Sequence, residues 1–172
     1  ENILVKKDGA GKPASTLGTY RLIQNSVLEP IKIMSSNVSW EMFKSLVPHW
    51  VLHENQHKYK IWDIFIKAME TESSDIIALQ EIPSNRYSEL EVFAKDNDYK
   101  VVIRDFGTEG MAVLYRDKYL LKSIPIINKY ERGRPYMILC FNKFTIVNLH
   151  APHHQKIEYL IKPFENISGP LI

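Results

Sequence analysis

Apolar residues recur along this chain in two rhythms. Every third or fourth position is apolar in "YKIWDIFIKAMETE" (59–72), where Ile61, Trp62, Phe65, Ala68 and Met69 share one helical face. "RYSELEVFAKDN" (86–97) repeats the rhythm with Tyr87, Leu90, Phe93 and Ala94. Elsewhere the spacing is that of strands. "IKIMSS" (31–36) alternates and ends at Asn37, and "DIIALQ" (75–80) is a short continuous run that suits a strand buried on both faces. Five more strands are predicted: "YKVVIRD" (99–105), "GMAVLYR" (110–116), "YLLKSIPI" (119–126), "PYMILCF" (135–141) and "FTIVNLH" (144–150). Asn142-Lys143 is placed as a two-residue hairpin turn between the last two. "HQKIEYLIKPFENI" (154–167) starts as a helix that Pro163 ends or kinks. Residues 1–29 show little period and read as an arm or extension, with "KKDGAGKPAST" as loop.

The order strand, helix, strand, helix, then strands describes a layered sheet with helices on one face. Several strands are apolar at consecutive positions, so the other face also needs cover. Half of a two-sheet sandwich meets that need, as does a partner that supplies the second layer. A small complete domain with a partly exposed sheet is the weaker alternative, because large apolar patches are uncommon on monomers.

A length of 172 residues suggests one domain, and 45% hydrophobic with 24% charged residues is an ordinary globular composition. No apolar run approaches the ~20 residues that a bilayer span needs. Cys140 is the only cysteine and lies in an apolar run, so it is expected as a buried thiol, with no disulfide framework. A reducing intracellular compartment, cytoplasm or nucleus, follows as the expectation, and the sequons at Asn37 and Asn166 are read as chance. A net charge of +2 neither demands nor forbids a polyanionic partner.

Three strands end in polar residues: Asn37 after "IMSS", Gln80-Glu81 after "IIAL", and Asn148 and His150 in "IVNLH". Strand ends on one sheet edge can converge on one site. An amide, a carboxylate and an imidazole suit phosphate chemistry, with the carboxylate binding a hard divalent ion and the imidazole giving a proton or hydrogen bond. Taken singly, each is equally a strand cap. A rival signal is "HENQH" (53–57), which matches the zinc-protease pattern H-E-x-x-H, with Glu54 as base beside His53 and His57. Its neighbours Asn55, Gln56 and Lys58 are polar, which fits a solvated segment better than a buried catalytic helix.

"KIMSSNVSW", "DIIALQEI", "GMAVLYR" and "IVNLHAPHH" together resemble the first motifs of the endonuclease/exonuclease/phosphatase superfamily, over residues 31 to 160. The resemblance implies an α+β fold, a four-layer α/β/β/α sandwich of the deoxyribonuclease-like type or its N-terminal half, formed by residues 30–172 after the 1–29 extension. It implies that Glu81 and Asn37 hold Mg²⁺, which Mn²⁺ can replace, and that Asn37 also lies beside the scissile phosphate. His150 would stand against the phosphate, with Asn148 fixing its loop. In the deoxyribonuclease branch a glutamate just before the fourth strand pairs with this histidine, and Glu109 takes that place. Arg132 and Arg134 in "YERGRPY" resemble arginines that touch a nucleic-acid backbone, a use that suits bidentate guanidinium groups; a solvated hairpin carrying two charges is the plain alternative. His153, in the loop after His150, is a further substrate contact to consider.

The family's later motifs, a Gly-Asp-x-Asn strand and an Asp-His pair, are not found in these 172 residues. The expectation is therefore a Mg²⁺-dependent phosphodiesterase, most of all a nuclease, completed by a C-terminal half or a second chain. A non-catalytic nuclease-like interaction module, a phosphoinositide or sphingolipid phosphodiesterase and, last, the zinc protease remain as alternatives.

Overall fold

Side chains along β4 (Ile76–Ile82) alternate between two apolar environments. Ile77 and Leu79 enter a core shared with helices, while Ile76 enters a second core on the opposite side. β6 (Gly110–Arg116) does the same: Ala112 and Leu114 face the helices, and Met111, Val113 and Tyr115 face away from them. Both faces are covered, which is why these strands read as continuous apolar runs.

The computed structural model describes residues 3–6, 18–23, 30–38, 55–107, 109–130, 134–151, 156–167 and 169–172. Six strands form the first sheet, in the order β1-β2-β3-β4-β6-β5, where β1 is Ile3–Lys6, β2 Gly18–Ile23, β3 Lys32–Asn37 and β5 Tyr99–Asp105. Only the β3–β4 pair is parallel among them. Parallel neighbours need a crossover, and α1 (Asn55–Glu72) lies between them in the chain. α1 and α2 (Tyr87–Asp96) cover one face of the sheet through Trp62, Met69, Leu90 and Phe93.

A second sheet is made of β7 (Ile126–Lys129), β8 (Pro135–Cys140) and β9 (Thr145–Leu149), all antiparallel. Its inner face gives Met137, Leu139 and Ile146 to the core that contains Ile33, Ile76, Met111 and Val113 of the first sheet. Burying each such side chain stabilises by about 1.5–3 kcal/mol. Its outer face gives Tyr136 and Ile138 to a third core with Phe164, Tyr159 and Leu160 of the segment containing α3 (Ile157–Ile161). The result is four layers, α/β/β/α.

The second layer of the expected sandwich is the sheet β7–β9, because the run of strands breaks into two sheets. The sequence pattern differs from this in three places. "YLLKSIPI" is not a strand: Leu121 makes an isolated bridge to Phe141, Ile124 is exposed, and regular pairing begins only at Ile126, after Pro125. Proline lacks the donor a ladder needs. Cys140 is half-buried rather than buried, since it faces the outer side of the second sheet beside the third core. In the stretch 1–29, read as an arm, β1 and β2 extend the first sheet, β2 pairing onto β3 and β1 onto β2. The hairpin at Asn142-Lys143 is present, closed by the Phe141 amide donating to the Phe144 carbonyl, and Pro163 lies second in a short 3₁₀ turn, Lys162–Phe164, directly after α3.

One glycine is required by packing. A Cβ on Gly110, where β6 starts, would overlap the Tyr87 hydroxyl and lie 2.6 Å from its ring. Gly110→Ala is expected to destabilise by about 1–3 kcal/mol through overpacking, read from the urea midpoint. Truncating Tyr87 to leucine in the same chain should recover part of that loss; no recovery would place the cause elsewhere.

Candidate active site

At the carboxyl end of β4 the alternation breaks. Leu79 pairs with Ala112 and Ile82 pairs with Gly110, so Gln80 and Glu81 together stand opposite Met111. This is a β-bulge, and Glu81 sits in it with φ +55°. A non-glycine residue in the left-handed region costs about 1–2 kcal/mol. The extra residue puts Leu79 and Ile82 on the helix side, and leaves Gln80 and Glu81 both facing the second sheet. Strain of this kind gathers where a side chain must be aimed.

The second sheet meets them with its inner-face residues. Along β9 and the residue after it, Ile146, Asn148 and His150 share one face. Asn148 is 2% exposed. Its amide nitrogen donates to the Leu79 and Ala112 carbonyls, both at 3.0 Å, and its oxygen accepts from Gln80 Nε2 at 2.5 Å. The amide thus ties the second sheet to two strands of the first.

His150 lies between two carboxylates. Nε2 is 3.1 Å from Glu81 Oε1, and Nδ1 is 2.6 Å from Glu109 Oε2. A carboxylate only accepts, so the Nδ1 proton points to Glu109, and the Nε2 atom faces Glu81. Arg134 Nη1 lies 3.3 Å and 3.4 Å from the two Glu109 oxygens. Glu109 is buried, which works to raise its carboxyl pKa; the hydrogen bond and charge of His150, followed by those of Arg134, outweigh burial and hold it below the usual value.

Glu81, Glu109 and His150 can each present a ligand atom within 4.8 Å of the others. Their chemistry fits a divalent cation unequally. Glu109 already accepts from His150 and Arg134, whereas Glu81 faces the His150 Nε2 atom alone among its described ion pairs, so Glu81 is the more open oxygen donor of the three. Asn37 closes β3 beside it: Asn37 is the register partner of Gln80, and the Val38 amide donates to the Gln80 carbonyl at 2.8 Å.

Three solved structures share the fold. ANGEL2, a 2′,3′-cyclic phosphatase solved with adenosine-2′,3′-vanadate, superposes with a TM-score of 0.52 at 14% identity over 72% of this chain and 42% of its own. TDP2 from C. elegans superposes with 0.52 at 16% identity over 77% of this chain and 38% of its own. A truncated C. elegans TDP2 gives 0.50 at 13% identity, over 77% and 49%. Both proteins are members of the endonuclease/exonuclease/phosphatase superfamily. The chain has the endonuclease/exonuclease/phosphatase fold. It spans 38–49% of the length of these three solved chains. No family model and no curated protein matches it.

Within that endonuclease/exonuclease/phosphatase-like sandwich, the residues singled out by sequence fall as follows. Glu81, Glu109, Arg134 and His150 meet in one cluster, Asn148 lies beneath it, and Asn37 lies at the adjoining strand end. Arg134 is engaged with Glu109, not left solvated on a hairpin. Arg132 and His153 lie outside the described residues, as do His53 and Glu54 of "HENQH", whose last residues begin α1. Gln80, given no role by the sequence, is buried and bonded across the two sheets. The continuous apolar run before it carries no signal of which face Gln80 takes; only the packing of Ile76 against the second sheet sets it. No helix among the described residues is long and apolar enough to cross a membrane.

Proposed function

We propose that this chain is part of a Mg²⁺- or Mn²⁺-dependent phosphodiesterase that hydrolyses nucleic-acid phosphodiester bonds. The observation that carries the reading is the left-handed bulge that delivers Glu81 to within 3.1 Å of a histidine already paired to Glu109, which Arg134 also holds. The neighbours add weight through their own chemistry, since ANGEL2 is described as a 2′,3′-cyclic phosphatase.

A divalent cation held by Glu81, with Asn37 beside it, would supply Lewis-acid polarisation of a phosphate oxygen and charge neutralisation. The chain's own groups do the rest of what can be assigned here. Glu109 accepts the Nδ1 proton and fixes the imidazole plane, as an orienting carboxylate does. The Nε2 atom can then pass a proton or hydrogen bond to a phosphate oxygen gathered at Glu81. Arg134, partly exposed, keeps Glu109 ionised and offers its remaining donors to a phosphate. Asn148 contributes by holding the strand that carries His150, without touching the reacting atoms.

The test is hydrolysis of a single-stranded and a double-stranded oligonucleotide by the full-length protein. Cleavage with Mg²⁺ or Mn²⁺ that EDTA abolishes is expected. Cleavage indifferent to EDTA, or hydrolysis of phosphoinositide or sphingomyelin in place of both oligonucleotides, would overturn the nuclease assignment.

A further inference from the structure

We propose that Gln80 is a positioning residue for this site, acting through its hydrogen bond to Asn148 across the two sheets. The inference rests on the phosphodiesterase reading above and deepens it, because no role for Gln80 follows from the cation or the histidine themselves.

The two halves of the site belong to different sheets. Glu81 comes from β4, and His150 follows β9. Sheets packed face to face stand about 10 Å apart, and the apolar core between them is non-directional. Such a core resists separation but sets no register along the strands. At the site end of that core two buried amides replace apolar contact. Asn148 has both amide protons committed to the Leu79 and Ala112 carbonyls, each at 3.0 Å. Those backbone acceptors dictate which way the amide faces, so its oxygen must point at Gln80. Gln80 Nε2 then donates to it at 2.5 Å, with Ser35 Oγ and the Ala78 carbonyl farther off at 3.4 Å.

Gln80 directly precedes Glu81 in the bulge, and Asn148 is two residues before His150 on the same face of the strand. A bond between Gln80 and Asn148 therefore locates the Glu81 carboxylate relative to the imidazole, one residue from the bond on one strand and two on the other. The directional bond supplies what packing cannot: a fixed offset between a cation-binding carboxylate and a proton-bearing ring. The bulge matters here too. Without it Glu81 would turn to the helix side, and Gln80 would have nothing to position.

The experiment compares wild type with Gln80→Leu, which keeps the volume and loses the donor, and Gln80→Asn, which keeps an amide too short to reach. Two quantities are read on the full-length protein: Mn²⁺ affinity by electron paramagnetic resonance, and the imidazole ¹⁵N and ¹³C resonances of His150. Both variants are expected to weaken Mn²⁺ binding by about tenfold or more, the usual scale for a residue that orients a ligand, and to shift or broaden the His150 resonances. Folded variants with wild-type Mn²⁺ affinity and an unchanged His150 spectrum would overturn the proposal, whatever they lose in urea stability. Should Gln80→Leu not fold, Gln80→Asn carries the comparison alone. Wild-type protein that binds no Mn²⁺ and cleaves nothing would sink the phosphodiesterase reading, and the His150 resonances would still decide the positioning claim.

Discussion

Full-length protein carrying Glu81→Ala is expected to lose about three orders of magnitude in metal-dependent phosphodiester hydrolysis, because a bound cation supplies several kcal/mol of transition-state charge stabilisation and each 1.4 kcal/mol is about tenfold. The fold should persist, since Glu81 is only partly buried and no apolar core depends on it. A second variant separates aim from strain. Glu81 holds φ +55°, which glycine adopts freely and alanine does not. Glu81→Gly should therefore be more stable than Glu81→Ala by about 1 kcal/mol in urea denaturation, while both are equally inactive. Activity retained in either variant would remove Glu81 from the chemistry. Equal stabilities would mean that the left-handed backbone at this position carries no cost.

Asn148→Asp should be among the most destabilising single changes in the chain, by about 3–5 kcal/mol. The asparagine donates to two backbone carbonyls and accepts from Gln80 while 2% exposed. An aspartate has the same shape with no donor. The oxygen that replaces the amide nitrogen would face both the Leu79 and Ala112 carbonyls, and an ionised carboxylate there would lack any cation to pair with among its described contacts. The Gln80 bond could survive, so the loss isolates the two bonds to the first sheet. The urea midpoint measures it, and the loss should grow from pH 4 to pH 7 as the new carboxylate ionises. An Asp variant that unfolds at the wild-type midpoint would show that the amide is no tie between the sheets.

Much of the helical layer could be read directly. Trp62, Met69, Leu90, Phe93 and Ala94 lie buried where a 3.6-residue period places them. The strands from Lys32 to Asn37 and from Ile76 to Ile82 also follow their apolar runs. The end of the second run stood out in the sequence because Gln80 and Glu81 follow four apolar residues and a proline stops the run soon after. The stretch from 119 to 126 misled, because Leu120, Leu121, Ile124 and Ile126 look like a strand while Pro125 interrupts the ladder. Composition cannot tell an exposed isoleucine such as Ile124 from a buried one.

By itself the sequence determined where the polar residues stand along each strand: a two-residue period puts Asn148 and His150 on one face of "FTIVNLH", and Gln80 and Glu81 follow the apolar run of "DIIAL". Only the tertiary structure decided which faces of these strands look inward and at one another, that the chain supplies its own second sheet, and that a one-residue bulge turns Glu81 to join them. The physical reason is that side-chain period is a local property of one strand. Sheet partition, the register between sheets and a left-handed φ at Glu81 are set by contacts among residues dozens of positions apart, such as Gln80 with Asn148 and Glu109 with His150.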